Sequence, residues 1–458
     1  MQIFAGKLFD SYTLAFHENV VIVVSPESGL ILDIHPYTSA ELAFADFRDA
    51  QRFVDLRHAT VLPGFVDAHS EYFTVFLHPY SEVSWEDQLT KESLVERTIR
   101  ATLHAKRTLM AGYTAVRDLG TEGAGDADIH LRKCMSGPNY LIPGPRYFCA
   151  NRAIVTTGSY GPKSKIHLNR EGIEGITGAE VADGEVECVK AVRRQFFNPD
   201  YRFRSRMDDV STAVSNAPIP TFDAQELKAL VSTANKLGVK VAAHSAHWQA
   251  RGKNGISSGP GVHSIEHGTN MEFEDTDIND TQHAGGSDGD RVNTVWVPTL
   301  AAYYTMSKEK GEVWESATRA FKRALEKGID NIACGGDTGV FPHGDNALEM
   351  KLMVRLGADW RKALQWGTLG GWRCIRSMAW EGKAGEERLR KVMNMQEDAR
   401  VVGDNEVPFG AVRRGFAADI IATSGDLENN FENAIDKSAI EFVMKGGRVY
   451  KRDGRELV

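Results

Sequence analysis

The stretch Leu62-Pro63-Gly64-Phe65-Val66-Asp67-Ala68-His69-Ser70-Glu71 decides how the rest of the 458-residue chain is read. The apolar run 59–66 leads into three polar side chains, Asp67, His69 and Glu71. Such a run reads as a buried strand of a parallel sheet. Side chains alternate along a strand, so His69 and Glu71 leave its end on the same face. Two metal-capable groups converging from one strand terminus are half of a metal site. The same residues could also form a polar turn after a core strand, and the downstream sequence has to decide.

Outward from that stretch, residues 59–402 alternate apolar strand-like runs with amphipathic helical stretches, the pattern of repeated βα units. Further strands are expected at 114–118, 146–149, 240–244, 263–267, 294–299 and 331–335. Residues 222–238 read as a helix with Asp223 at its start and Gly238 at its end, and 314–327 show the same spacing. This alternation predicts an α/β fold, a (β/α)8 TIM-like barrel, for which ~250 residues is typical and insertions are common. The polar, acidic segment 272–290 breaks the rhythm as a long insertion after the sixth strand. Residues 1–58 and 403–458 are rich in short strands, with Gly446-Gly447 as a hairpin turn. They are expected to build one small β-sandwich domain from both termini.

A net charge of −8 speaks against a nucleic-acid or anionic-membrane surface. No segment approaches the ~18–20 apolar residues of a transmembrane helix, and the first ten residues lack the regions of a signal peptide. Cys134, Cys149, Cys188, Cys334 and Cys374 are odd in number and form no CxxC pair. They fit a reducing compartment and argue against a thiolate metal site. A soluble cytoplasmic protein is the expectation.

The polar residues that matter stand at predicted strand ends. His244 ends Val241-Ala242-Ala243-His244, His267 ends Ser264-Ile265-Glu266-His267, and Asp337 follows Gly335-Gly336. With His69 and Glu71 this places three histidines and two carboxylates on four strand termini, the end of a barrel that carries active sites. A single histidine after an apolar strand is usually structural. Four strand ends of this kind point to a mixed His/carboxylate site for a divalent metal.

These motifs resemble the metal-dependent amidohydrolase superfamily, in its imidazolonepropionase-like, prolidase-like and ochratoxinase-like branch. The likeness rests on the opening stretch, Ala111-Gly112-Tyr113-Thr114-Ala115-Val116-Arg117-Asp118, Ile142-Pro143-Gly144-Pro145-Arg146, Ser264-Ile265-Glu266-His267-Gly268, and Gly335-Gly336-Asp337-Thr338-Gly339. In that family the first strand ends in His-x-His and the fourth carries a carboxylated lysine bridging two metals. The fifth and sixth strands each carry a histidine, and the eighth an aspartate. His69, His244, His267 and Asp337 take those places. Glu71 stands for the second histidine, and Phe203 falls where the lysine belongs, with Lys190 in the preceding helix. Without an anionic bridge two close cations repel each other. The resemblance therefore implies one divalent metal, Zn²⁺ first and Mn²⁺ or Fe²⁺ as alternatives, on His69, Glu71, His244 and Asp337.

It further implies hydrolysis of an amide, lactam or related C–N/C–O bond in a small, carboxylate-bearing or aromatic substrate. Asp337 is expected to carry the proton of the attacking water, and His267 to polarise the scissile carbonyl or act as a further ligand. Tyr160, Arg152, Tyr303 and His343 are the expected substrate contacts, with Trp248, Tyr304 and the Arg202, Arg204 and Arg206 cluster nearby. His78, His104, His130 and His283 are expected on the surface or in loops. The alternatives are a metal-free lyase, isomerase or decarboxylase in the same pocket, and a catalytically silent binding protein. A homo-oligomer is compatible with the family.

Overall fold

The computed structural model describes residues 1–72, 85–137, 140–160, 172–173, 176–196, 218–245, 261–271, 294–307, 310–396 and 406–458, with 164 and 166. Segments 203–206, 209–211 and 218–220 are described by their backbone. The expected insertion 272–290, Trp248, Arg202, His78 and His283 lie outside the described residues.

Both chain ends meet in one hydrogen-bonded sheet of eight strands. Its order runs Arg455–Glu456, Arg448–Arg452, Ile440–Lys445, Ile420–Thr423, Phe53–Pro63, Gln2–Phe9, Phe16–Val24 and Ile31–Pro36. Gly446 and Gly447 make the turn between Ile440–Lys445 and Arg448–Arg452 with φ of +57° and +78°. Two left-handed residues in succession suit a tight hairpin, because that twist matches the flanking strands, and glycine adopts them without a Cβ clash. Ile3, Val20, Ile22, Val54, Phe442 and Met444 are buried together in the core of this sheet. Phe53–Pro63 runs past residue 58 and pairs with Ile420–Thr423. It hands the chain directly to Phe65–Ser70, which carries His69.

Two further sheets pair their strands in parallel, while Asp209–Ser211 and Pro218–Pro220 form a separate antiparallel pair. Phe65–Ser70, Tyr113–Asp118 and Arg146–Cys149 form one sheet. Ala179–Val181, Ala153–Val155, Phe203–Arg206, Val241–Ser245, Ser264–His267 and Val295–Val297 follow in order in a second. Segment 331–338 bonds to both. Trp296 N donates to Asn331 O and Ala333 N to Trp296 O, each at 3.0 Å, while Ala68 N donates to Cys334 O and Glu71 N to Thr338 O, each at 2.8 Å. The strand expected at 331–335 is only a bridge at Ile332. Gly335 accounts for its close passage, since a Cβ there would lie 2.6 Å from His69 N.

Helices connect these strands with the chemistry their sequences announce. Ala224–Lys236 starts at Asp223, whose carboxylate accepts from Gln225 N and Glu226 N at 2.8 Å, and Glu226 returns a bond to complete a capping box. Leu227, Leu230, Val231 and Ala234 repeat at helical spacing and are buried. A fully buried leucine contributes roughly 1.5–3 kcal/mol. Among the described residues no helix is long and apolar enough to cross a membrane.

Candidate metal centre

Five of the expected residues are brought together at the carboxyl ends of the parallel strands. His69, His244 and His267 form one group of ligand atoms within 4.8 Å of one another, and His69, Glu71 and Asp337 form a second. His69 belongs to both. The ring centroids of His69 and His244 are 4.9 Å apart, those of His69 and His267 5.1 Å, and those of His244 and His267 4.9 Å. His69 and His244 are buried, and the Asp337 side chain keeps 15% of its exposure.

Backbone geometry sets this group apart. His267, Thr299 and Asp337 have φ of +76°, +50° and +57°. Left-handed backbone at residues other than glycine costs about 1–3 kcal/mol each and persists where the surroundings impose it, most often at functional sites. Hydrogen bonds impose it here. Asp337 N donates to His69 O at 2.9 Å, and His267 Nδ1 lies 2.8 Å from Thr299 Oγ1. Asp67, fully buried, accepts from His69 N at 3.0 Å, Thr338 Oγ1 at 2.8 Å and Asn346 Nδ2 at 2.7 Å. Burial pushes the Asp67 carboxyl up, against those three hydrogen bonds.

The His69 ring is oriented by a residue that the sequence reading passed over. Its Nδ1 lies 2.9 Å from Glu266 Oε2. Glu266 also accepts from Arg117 Nη2 at 2.7 Å and Ser264 Oγ at 2.5 Å. Burial alone would raise the Glu266 carboxyl, but the Arg117 guanidinium and the His69 and Ser264 hydrogen bonds hold it below the usual carboxylate range. A carboxylate only accepts, so His69 Nδ1 is the donor, which in the neutral ring leaves the lone pair on Nε2. That Nε2 is buried, makes no hydrogen bond among the described residues, and lies 3.5 Å from Asp337 Oδ1. An imidazole lone pair facing a carboxylate, with further histidines beside it, fits a divalent cation. The signal for Glu266 was an acidic residue inside an apolar strand, one position before His267.

The expected substrate contacts divide. The Tyr303 ring stands edge-on to His267, with centroids 5.8 Å apart. Tyr304 packs on Trp314. Tyr160 hydrogen-bonds to Glu122 and packs edge-on against Trp85. Arg152 pairs with Asp126 at 3.6 Å and Glu180 at 3.5 Å. His343 is buried, stacked on His104 at 4.2 Å and edge-on to Tyr72 at 4.8 Å. Burial and His104 push His343 well below the ordinary imidazole range, against a hydrogen bond to the Glu71 backbone. Of the four, Tyr303 is the one placed by a ring contact against His267.

One expectation about another residue changes. His104, expected on the surface, is fully buried, its Nδ1 3.2 Å from Tyr72 O. It lies on Leu94–Met110 with Ala101, Ala105 and Thr108, one buried helical face whose spacing marks it. The strand register sets Arg206 opposite His244 and Phe203 opposite Val241. Lys190 lies on Gly184–Phe196 and pairs with Glu187 at 2.8 Å.

The profile described as Amidohydrolase family matches residues 60–377, the span that holds all five residues. The chain belongs to the amidohydrolase family. Ochratoxinase of Aspergillus niger is 24% identical over 368 residues, covering 76% of this chain and 67% of that protein. A Xaa-Pro dipeptidase crystallised with methionine in its active site superposes with a TM-score of 0.73 at 24% identity, covering 98% of this chain and 99% of its own. The crystal structure of Aspergillus niger ochratoxinase superposes with a TM-score of 0.72 at 20% identity, covering 98% and 95%. These superpositions establish a TIM-barrel-like α/β fold for the amidohydrolase. Its family is that of hydrolases, generally metal-dependent, acting on small molecules.

Proposed function

We propose that this amidohydrolase hydrolyses an amide or related C–N or C–O bond of a small substrate with a single divalent cation, Zn²⁺ before Mn²⁺ or Fe²⁺. The cation is held by His69, Glu71, His244 and Asp337 at the mouth of a (β/α)8 barrel, beside the terminal β domain. One observation carries the reading. His69 is common to both groups of candidate ligands, and its only available lone pair, on Nε2, can serve one cation.

Bound there, a divalent cation supplies Lewis acidity and lowers the pKa of a water to about 7. The protein does the rest. Asp337 is the more open carboxylate and accepts the proton of the attacking water, then returns it to the leaving nitrogen or oxygen. Thr299 Oγ1, 2.8 Å from His267 Nδ1, can serve as donor to it; the ring then carries its hydrogen on Nε2 and stabilises the developing oxyanion. Tyr303, edge-on to His267, offers an aromatic wall for the substrate. The names of the similar proteins support a carboxylate-bearing amide as the class to try first.

The test is elemental analysis of protein purified without chelator, joined to assays on ochratoxin, a Xaa-Pro dipeptide and N-acyl amino acids. One metal per chain is expected in the wild type, and none in His69→Ala or Asp337→Ala. Hydrolysis should stop on chelation and return with Zn²⁺. A wild-type protein that neither carries nor takes up a divalent metal overturns the reading.

A further inference from the structure

Beneath the ligand group runs a polar strut that the proposed reaction does not use. Arg117 and Glu266 are both buried and stand on Tyr113–Asp118 and Ser264–His267, strands of the two different parallel sheets. Arg117 Nε donates to Ala68 O at 2.6 Å, the residue before His69. Its Nη1 donates to Ser264 Oγ at 2.9 Å and its Nη2 to Glu266 Oε1 at 2.7 Å. Glu266 Oε2 then takes His69 Nδ1. One guanidinium therefore fixes both the main chain leading into His69 and the carboxylate that holds its ring. Barrel interiors are ordinarily filled with Val, Ile and Leu. A buried ion pair contributes little net stability, because desolvation offsets its attraction. A pair in this place calls for a role other than stability.

We propose that Arg117 and Glu266 are positioning residues that lock His69 as the Nδ1–H tautomer, aim its Nε2 lone pair at the cation, and so set the metal affinity of the site. The inference rests on the metal-dependent reading above. The opposite tautomer would turn an N–H toward Asp337 and close that position to a cation. Outer partners of this kind typically govern metal affinity by about 10–100-fold.

Three measurements test it. Glu266→Gln keeps the shape of the side chain but offers an amide that can donate as well as accept. Its Zn²⁺ affinity, read by competition with a chromophoric chelator, should fall by about 10–100-fold. Arg117→Met with Glu266→Leu replaces the pair by apolar side chains of similar volume. That double variant should melt near the wild type and still show the affinity loss. Side-chain ¹⁵N NMR of metal-free, histidine-labelled protein reads the tautomer, with the His69 signals assigned from their absence in His69→Gln. Wild-type affinity in the double variant, or a hydrogen on Nε2 in the wild-type protein, overturns the proposal. A wild-type protein that binds no Zn²⁺ overturns the metal-dependent reading instead. The tautomer, read without metal, then still decides the positioning claim.

Discussion

Asp337→Asn separates charge from shape at the ligand group. The residue sits at φ +57°, a conformation that asparagine and aspartate tolerate better than other side chains, so the exchange adds no backbone strain. Its N–H bond to His69 O is a main-chain contact and survives. What disappears is one negative charge whose Oδ1 lies 3.5 Å from His69 Nε2. A unit charge and a divalent cation 4 Å apart interact by about 2 kcal/mol in bulk water and about 8 kcal/mol at an effective dielectric of 20, so a partly open site lies at about 4 kcal/mol. Since ~1.4 kcal/mol is a factor of ten, cation affinity should fall on the order of 1,000-fold. The metal-free protein should move the other way. Asp337 and Glu71 hold ligand atoms within 4.8 Å of each other, so removing one of two like charges leaves the melting temperature unchanged or raised. Competition titration with Zn²⁺ gives the affinity, and calorimetry of chelator-treated protein gives the stability. Affinity within tenfold of wild type, at unchanged melting temperature, would falsify the assignment of Asp337 as a ligand.

Two further perturbations probe the scaffold around the site. Gly335→Ala puts a Cβ 2.6 Å from His69 N and from Val297 Cγ1, and overpacking of that kind costs about 1–3 kcal/mol. The variant should melt several degrees lower and bind metal more weakly, and a wild-type melting curve contradicts the close approach. Glu349 accepts from Leu300 N at 3.1 Å and Ala301 N at 2.7 Å, and burial pushes its carboxyl up to about 8. A folded pKa above the unfolded value means its stabilisation is full below about 4.5 and is lost as pH rises through about 8. Glu349→Gln should therefore flatten the decline in stability between pH 5 and 9 seen by urea denaturation, and equal slopes for both proteins would refute the shift.

Much of the candidate site was legible because its signals are local. Period-two alternation puts His69 and Glu71 on one face. The apolar runs ending in His244 and His267 are strands, Val241–Ser245 and Ser264–His267. Asp223 caps its helix, and Gly446-Gly447 turns its hairpin, each through chemistry contained within a few residues. Segment 331–335 is a bridge rather than a strand, because an apolar run does not reveal that Gly335 passes against the strand carrying His69. Arg152 and Tyr160 are expected substrate contacts, and the fold gives each a carboxylate partner distant in sequence. His104 taken alone suggests the surface, whereas the periodicity of Leu94–Met110 places it on the buried helical face.

Residue types at strand ends, determined by the sequence alone, specify that imidazoles and carboxylates will face one another. They do not specify which imidazole nitrogen is available. That was decided by the fold, which brings Glu266 to His69 across 197 positions and leaves Nε2 bare. An acidic residue inside a strand marks Glu266, but no local pattern names His69 as its partner. The pairing exists only once the parallel strands have closed around the Arg117 guanidinium and buried both charges together.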